Sequence, residues 1–293
     1  MPGQLKEVRS RIKSVQSSQQ ITKAMKMVSA AKLRRAQDAI IQMRPYARKL
    51  QELLSNIVSN SDGGEGMSLA VERPVENVLL IVITSDRGLA GAFNSNLVKL
   101  AKLTIKEKYS SAFEKGNVTI WSIGKKGYEQ FLKNNYKVDA TFKDIFLQLS
   151  FEGVQAAAQA AMKAFEERKF DVVEIVYSEF KNAATQRFSV ERFLPIPKVT
   201  KKEGATKADF IFEPAKEQLI AVLMPKILNT QLYKAVLDSN ASEHGARMTA
   251  MDKASENANE ILRNLKISYN RARQAAITTE LTEIVSGAAA LLG

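Results

Sequence analysis

The chain has 293 residues, 45% of them hydrophobic and 25% charged, and its 43 basic and 31 acidic side chains give a net charge of +12. It has no cysteine and one histidine, which excludes a disulfide scaffold, a cysteine nucleophile and metal sites built from thiolates or several histidines. No run approaches the roughly 18 apolar residues of a membrane-spanning helix, and no secretory signal is recognisable, so we expect a soluble protein.

The surplus of positive charge lies in the first part of the chain. The first 50 residues carry 12 basic and only 2 acidic side chains, Glu7 and Asp38, whereas residues 51–204 have a net charge of +2 and residues 205–293 are neutral. A helix stabilised by its own ion pairs would alternate acidic and basic residues. The surplus therefore predicts an external anionic partner, which could be nucleic acid, a membrane surface or an acidic protein.

Residues 1–58 predict one long helix. Apolar residues recur at steps of three and four from Leu5 to Leu54, which is the periodicity of a helix with one apolar face. The pattern stops at SNSDGGEG, and we predict a linker over residues 59–74.

Residues 75–212 predict a Rossmann-like doubly wound α/β domain, in which a mainly parallel sheet is buried on both faces. The β-branched and apolar runs at 78–86, 118–124 and 170–180 predict strands, and helices are predicted at 94–113 and about 153–167. The alternating sequence from Arg187 predicts an additional, half-exposed strand.

Residues 213–293 predict a second long helix, so the fold class is α/β with a long antiparallel coiled coil of the N- and C-terminal helices. At ~1.5 Å per residue the two helices would span about 80 and 115 Å, and roughly 20 residues of the second would project beyond Met1. The last ten residues, 284–293, carry no charge. An exposed apolar helix of this kind is marginally stable in water, so we expect this tip to lie inside another protein.

Three segments carry motifs of a known family. They are RSRIKSVQSSQQITKAMKMVSAAKLRRAQ at 9–37, SDRGLAGAFN at 85–94 and ITTELTEIVSGAAALL at 277–292. All three resemble the gamma subunit of F-type ATP synthases, and the resemblance covers the whole chain. It is to a bacterial form, because the chain lacks the cysteine pair of chloroplast relatives and a recognisable transit peptide.

The resemblance implies a non-catalytic rotor shaft without a cofactor or metal of its own. In such complexes the coil passes through a hexamer of three alpha and three beta subunits, and the α/β domain rests on the membrane c-ring beside the epsilon subunit. Ion flow, typically of protons, turns the ring, and the shaft drives the beta subunits through the states that make and release ATP. The implied location is peripheral, on the cytoplasmic face of the bacterial inner membrane.

The resemblance also implies two contact regions. The stem residues expected to face an acidic beta-subunit loop are Met25, Lys26, Lys32, Arg34 and Arg35. The residues expected in the upper bearing around the tip are Arg271, Arg273, Gln274, Thr278, Glu280 and Glu283.

Two functions of other classes stay open. A nucleic-acid-binding protein could place the basic helix on phosphates and use the α/β domain for regulation, although the long apolar seam argues against this use. An α/β enzyme is less favoured, because the chain has no nucleophile with a base and no phosphate-binding loop. The glycines of the loop at 85–94 predict a tight turn rather than a nucleotide site, since they match neither glycine-rich nucleotide motif. His244 is expected to be a plain surface or seam residue.

Overall fold

The computed structural model describes residues 2–59, 68–183, 185–196 and 216–292, and residues 60–67 of the predicted linker lie outside this range. The chain forms two compact units, which we call the stem unit (residues 1–29 and 248–293) and the sheet unit (residues 30–247). Both boundaries fall within long helices. The predicted domain boundaries at 58, 74 and 212 therefore stay a prediction.

The elements follow one another in the order helix, α/β core, helix. In chain order they are α1 (Pro2–Ser59), β1 (Val78–Ile83), α2 (Phe93–Lys108), α3 (Ser110–Glu114), β2 (Val118–Ile123), α4 (Lys125–Lys133), β3 (Val138–Asp139), α5 (Phe151–Glu166), β4 (Val172–Phe180), β5 (Gln186–Leu194) and α6 (Lys216–Leu292). Two short 3-10 turns lie at Ser68–Ala70 and Ile145–Gln148. This order confirms the predicted fold class. No described helix is long and apolar enough to span a membrane.

The stem unit is an antiparallel pair of helices, as predicted. Lys26 Nζ lies 2.5 Å from Asp252 Oδ1, and one helical turn away Thr22 Oγ1 lies 2.7 Å from Ser255 Oγ. Residues nearer the N-terminus of α1 therefore contact residues nearer the C-terminus of α6, so the two helices are antiparallel.

The seam of the stem unit has the period of a coiled coil. The seam of α1 includes the buried or half-buried positions Leu5, Val8, Ile12, Val15, Gln19 and Thr22. The seam of α6 includes the buried or half-buried positions Ser255, Ala258, Leu262, Leu265, Tyr269, Ala272 and Ala276. Steps of three and four alternate in both helices, which keeps one stripe of each helix facing the other.

The C-terminal end of α6 extends beyond this seam. The register brings Pro2 level with Ala276, so residues 277–292 pass beyond the described start of α1. Every residue from 280 to 290 is exposed. The projecting tip is somewhat shorter than the roughly 20 residues expected from helix lengths.

The sheet of the sheet unit has the strand order β3-β2-β1-β4-β5. The first four strands are parallel, and β5 is antiparallel to β4. All six residues of β1 are buried, because the strand lies at the centre of the sheet with helices on both faces. One face packs under α2, α3 and α4 through residues such as Leu97 and Phe131, and the other under α5 and α6 through residues such as Phe165 and Leu232.

The structure adds elements that the periodicity did not predict. The helix predicted at 94–113 is divided into α2 and α3 at Tyr109, and α4 and the two-residue strand β3 were not predicted at all. At the start of α4, Gly124 has φ 101°, and a Cβ on it would lie 2.3 Å from Thr84 O. Only glycine allows the end of β2 to approach the end of β1 this closely.

Candidate functional site

Helix α6 lies across the ends of the central strands in the sheet unit. Ser239 Oγ donates to Ile83 O at 3.3 Å, and Ser242 Oγ donates to Ser178 O at 3.2 Å. Doubly wound sheets bind nucleotides in the crevice at the carboxyl ends of their strands. Here a helix of the same chain contacts the ends of β1 and β4. This agrees with the prediction that the loop after β1 is a tight turn and not a nucleotide site.

That loop, residues 85–92, is held by an arginine of α6. Arg247 Nη2 donates to Arg87 O at 3.0 Å and to Gly88 O at 3.2 Å, while Arg247 Nη1 pairs with Glu243. Gly91 has a positive φ of 58°, as the turn predicted, but Leu89 also has one, at 64°. The anchored loop is thus more strained than its glycines alone indicated.

Glu243 and His244 are largely buried beside this arginine. Burial raises the pKa of Glu243, and the charges of Arg247 and Lys32 oppose the rise. Burial and the same two cations lower the pKa of His244 to about 4. His244 is therefore uncharged at neutral pH, and its side chain is 12% exposed rather than a simple surface group.

A cavity of about 610 Å³ opens between α1, the loop and α6 within the sheet unit. Its polar lining is Lys32, Arg35, Asp86, Arg87, Asn240, Glu243, His244 and Arg247. Its apolar lining includes Phe146, Leu147, Leu149, Tyr233 and Leu237. Among the described residues, the ion pair of this cavity at neutral pH is the one between Glu243 and Arg247, since His244 beside Glu243 is uncharged. The cations Lys32, Arg35 and Arg87 therefore give the cavity a basic mouth.

The predicted stem contacts are divided between the two units. Met25 and Lys26 lie in the stem unit, where both are half-buried, and Lys26 is paired with Asp252. Lys32, Arg34 and Arg35 lie in the sheet unit and are all exposed. The charge of Lys26 is thus partly neutralised within the chain, whereas the other three cations face solvent.

The predicted bearing residues all lie on the outer end of α6. Arg271, Arg273, Gln274, Thr278, Glu280 and Glu283 are exposed, and the described chain offers none of them an ion-pair partner. Thr278 Oγ1 donates to Gln274 O at 2.9 Å, so this hydroxyl is satisfied within its own helix. Together they form a mixed polar surface that has no ion-pair partner among the described residues.

Apolar side chains of the tip are exposed between these polar ones. Leu281 is 58% exposed, Ile284 67% and Val285 66%. Leu291 and Leu292, which were also predicted to be exposed, lie outside the side chains that the structure describes. Large apolar residues exposed together at one end of a helix indicate a surface that is covered in an assembly.

Sequence reasoning missed the contribution of Arg247 and Glu243. Both lie in a long periodic helix, and nothing in their spacing indicates that they contact a loop some 160 residues earlier. The separation of four residues between them was the one available signal, since it favours an ion pair on a helix face. Within the described part of the chain, no group of three or more metal-ligating side chains is suitably placed for an ion.

Comparison with known proteins assigns the family. A family model described as ATP synthase matches residues 4–291. The chain is 53% identical over 294 residues to an ATP synthase gamma chain of Cytophaga hutchinsonii and 51% identical over 289 residues to one of Christiangramia forsetii, with 99% of both chains covered in each case. The chain belongs to the ATP synthase gamma chain family. The sequence-based resemblance is confirmed.

Solved structures share the fold of this gamma-family chain. A chain of the Euglena gracilis mitochondrial ATP synthase, in a structure titled OSCP/F1/c-ring in rotational state 3, aligns with a TM-score of 0.68 at 21% identity, covering 99% of this chain and 95% of that one. A chain from the rotor of the same complex aligns with a TM-score of 0.65 at 20% identity, covering 94% and 100%. Two long helices enclosing an α/β core are therefore a fold already seen in ATP synthases.

Proposed function

We propose that this chain is the central rotor shaft of an F-type ATP synthase and has no catalytic activity of its own. One observation carries the proposal: relatives named ATP synthase gamma chain match at about half identity over 99% of both chains. The match includes the coil as well as the α/β core. A role as a shaft, which uses the whole molecule, is thereby favoured over a role as an enzyme, which would use the α/β core alone.

The partner of the tip is a sleeve formed by the alpha and beta subunits. The exposed Leu281, Ile284 and Val285 would be sequestered there, and the polar side chains from Arg271 to Glu283 would face the sleeve wall. Apolar contacts are non-directional, so they stabilise the tip without fixing it at one rotation angle.

The basic surface of α1 meets the acidic loops of the beta subunits. Lys32, Arg34 and Arg35 are its exposed cations, and Met25 and Lys26 lie on the same helix in the stem unit. Exposed ion pairs contribute about 0 to 1 kcal/mol each. Contacts this weak can form and break at each beta subunit in turn, as rotation requires.

The remaining partners follow from the same role. The α/β domain would rest on the membrane c-ring with the epsilon subunit, and protons would be the coupling ion. The shaft would then be peripheral, on the cytoplasmic face of the bacterial inner membrane. The division into helix, linker, α/β domain and helix at residues 58, 74 and 212 belongs to this proposal.

Affinity purification from gently solubilised native membranes tests the proposed role. A tagged chain should elute with an alpha and a beta subunit, each in threefold molar excess, and the eluate should hydrolyse ATP. The chain stripped of these subunits should hydrolyse none. Recovery of the tagged chain alone, or turnover by the stripped chain, would contradict the proposal, and untagged cells provide the background.

The nucleic-acid alternative receives no support from the relatives. The seam positions of α1 are buried or half-buried against α6 in the stem unit, so the helix cannot turn this face to a duplex. Gel retardation at low salt is the direct test. We expect no discrete, steeply salt-dependent complex with DNA, which a basic recognition helix would form.

A further inference from the structure

Helix α6 and the hairpin of β4 and β5 are joined by hydrogen bonds at two levels of the helix. At the level nearer the N-terminus of α6, Gln231 Nε2 donates to Glu191 Oε1 at 2.7 Å. Three turns further on, Ser242 Oγ donates to Ser178 O at 3.2 Å. The hairpin therefore follows the helix over several turns.

The helix also approaches the turn of the hairpin closely. A Cβ placed on Gly245 would lie 3.1 Å from Ala183 O, which is tighter than most contacts of real Cβ atoms. The absence of a side chain at this position allows the turn to lie directly on the helix. The two elements thus form a packed interface and not an open cleft.

A buried carboxylate lies between these two levels on the same face of the helix, because Asp238 follows Gln231 by seven residues and precedes Ser242 by four. Asp238 is 3% exposed, although ionised carboxylates are costly to bury without a partner. The charged groups that act on it are Glu179 of β4, Glu191 of β5, Lys234 of α6 and Arg44 of α1. Three acidic side chains therefore share a region in which Asp238 is the most deeply buried.

The environment of Asp238 sets when it binds a proton. Burial is the main cause that raises its pKa, Lys234 and Arg44 oppose the rise, Glu179 and Glu191 add to it, and the net pKa is about 6. Burial and Glu191 also raise the pKa of the neighbouring Tyr177, which keeps its proton and donates to Glu191 Oε2 at 2.9 Å. The charge of Asp238 therefore changes just below neutral pH.

We propose that Asp238 is a proton-sensitive latch, which holds the hairpin of β4 and β5 more tightly against α6 when its carboxyl group is protonated. The sign follows from linkage. A carboxyl group whose pKa is higher in the packed state than in the opened state favours the packed state as the pH falls through the higher value. The latch would make the stiffness of the sheet unit depend on the pH around it, which goes beyond the proposed role as a shaft.

Hydrogen exchange of the full-length chain tests the latch. Exchange of the hairpin amides, residues 177–191, is followed by mass spectrometry at about pH 7.5 and about pH 5.5 and corrected for the intrinsic pH dependence of exchange. With a pKa of about 6 in the packed state and the ordinary aspartate value of 3.8 taken for an opened state that exposes the carboxyl group to water, protection should rise about fourfold at the lower pH. Protection of α2, on the opposite face of the sheet, is the internal control.

Two variants separate the latch from a general effect of acid. Asp238→Asn has nearly the same shape and no titration, so its hairpin should be equally protected at both pH values. Glu179→Gln removes one facing negative charge, so the protection of its hairpin should rise only at a lower pH than in the unmodified chain. This second variant keeps the test decisive if Asp238→Asn does not fold. A pH-independent hairpin in the unmodified chain, or an unchanged dependence in either variant, would overturn the proposal.

Discussion

The ion pair between Lys26 and Asp252 lies at the partly exposed surface of the stem unit. The two side chains are 41% and 46% exposed, and pairs of this kind contribute about 0 to 1 kcal/mol. Most of the stability of the stem must therefore come from the apolar seam. A partner can compete for Lys26 at small cost, which is compatible with its expected contact to a beta subunit.

Gly124 offers a sharper test at the residue scale. Its φ of 101° and the closeness of Thr84 O leave no room for a Cβ, so Gly124→Ala should lower the free energy of unfolding by at least about 2 kcal/mol. Unfolding by denaturant measures this change in the free energy of unfolding. Gly88→Ala is the matched control, because nothing lies within 4 Å of a Cβ at that position, and it should change stability by less than about 0.5 kcal/mol. Equal effects of the two substitutions would show that the close approach is not needed.

Individual site residues were only partly predictable. The exposure of Lys32, Arg34 and Arg35 follows from the local excess of cations, which cannot all find partners in their own helix. The anchoring role of Arg247 and the buried state of Asp238 depend on which loop or strand packs against α6. Such long-range contacts leave no periodic trace in the sequence.

The tip of α6 can be tested as an element. Ile284→Asp combined with Val285→Asp keeps the length of the helix and places charge on two residues that are 67% and 66% exposed. Because these side chains have no described partner within the chain, the free energy of unfolding should change by less than about 0.5 kcal/mol. Assembly with alpha and beta should weaken strongly, because the charges would have to be desolvated inside the sleeve.

The matching truncation removes residues 284–293. It should leave the thermal transition and the helical circular-dichroism signal of the rest of the chain largely intact while reducing recovery of the assembled complex. Loss of the thermal transition would show that the tip belongs to an internal core instead.

Elements with long, regular patterns were well predicted, and short ones were not. In α1 and α6 the spacing of apolar residues is repeated over many turns, and in β1 the apolar run is continuous. Local irregularities therefore do not hide these patterns. Strand β3 has two residues and α4 has nine, which is too short for a clear period. The break at Tyr109 between α2 and α3 is also set by packing, since its side chain is buried under the sheet.

At the scale of the whole molecule, the distribution of charge matches the proposed arrangement of partners. The surplus of +10 in the first 50 residues contrasts with the uncharged last ten residues of the tip. Steering by charge would bring the basic helix to acidic loops, whereas the tip would be retained by burial. Fold class and rotor role could both be predicted from the sequence, because the motifs and the helical periods extend over the full chain.

ATP-driven rotation tests the shaft role most directly. The chain has no cysteine, so Ser111→Cys places one label on an exposed residue of α3, and the alpha and beta subunits are immobilised around the labelled chain. We predict that a probe on this label turns in one direction while ATP is hydrolysed and stops when ATP is removed. Continued hydrolysis by the assembled complex with a stationary probe would contradict the account.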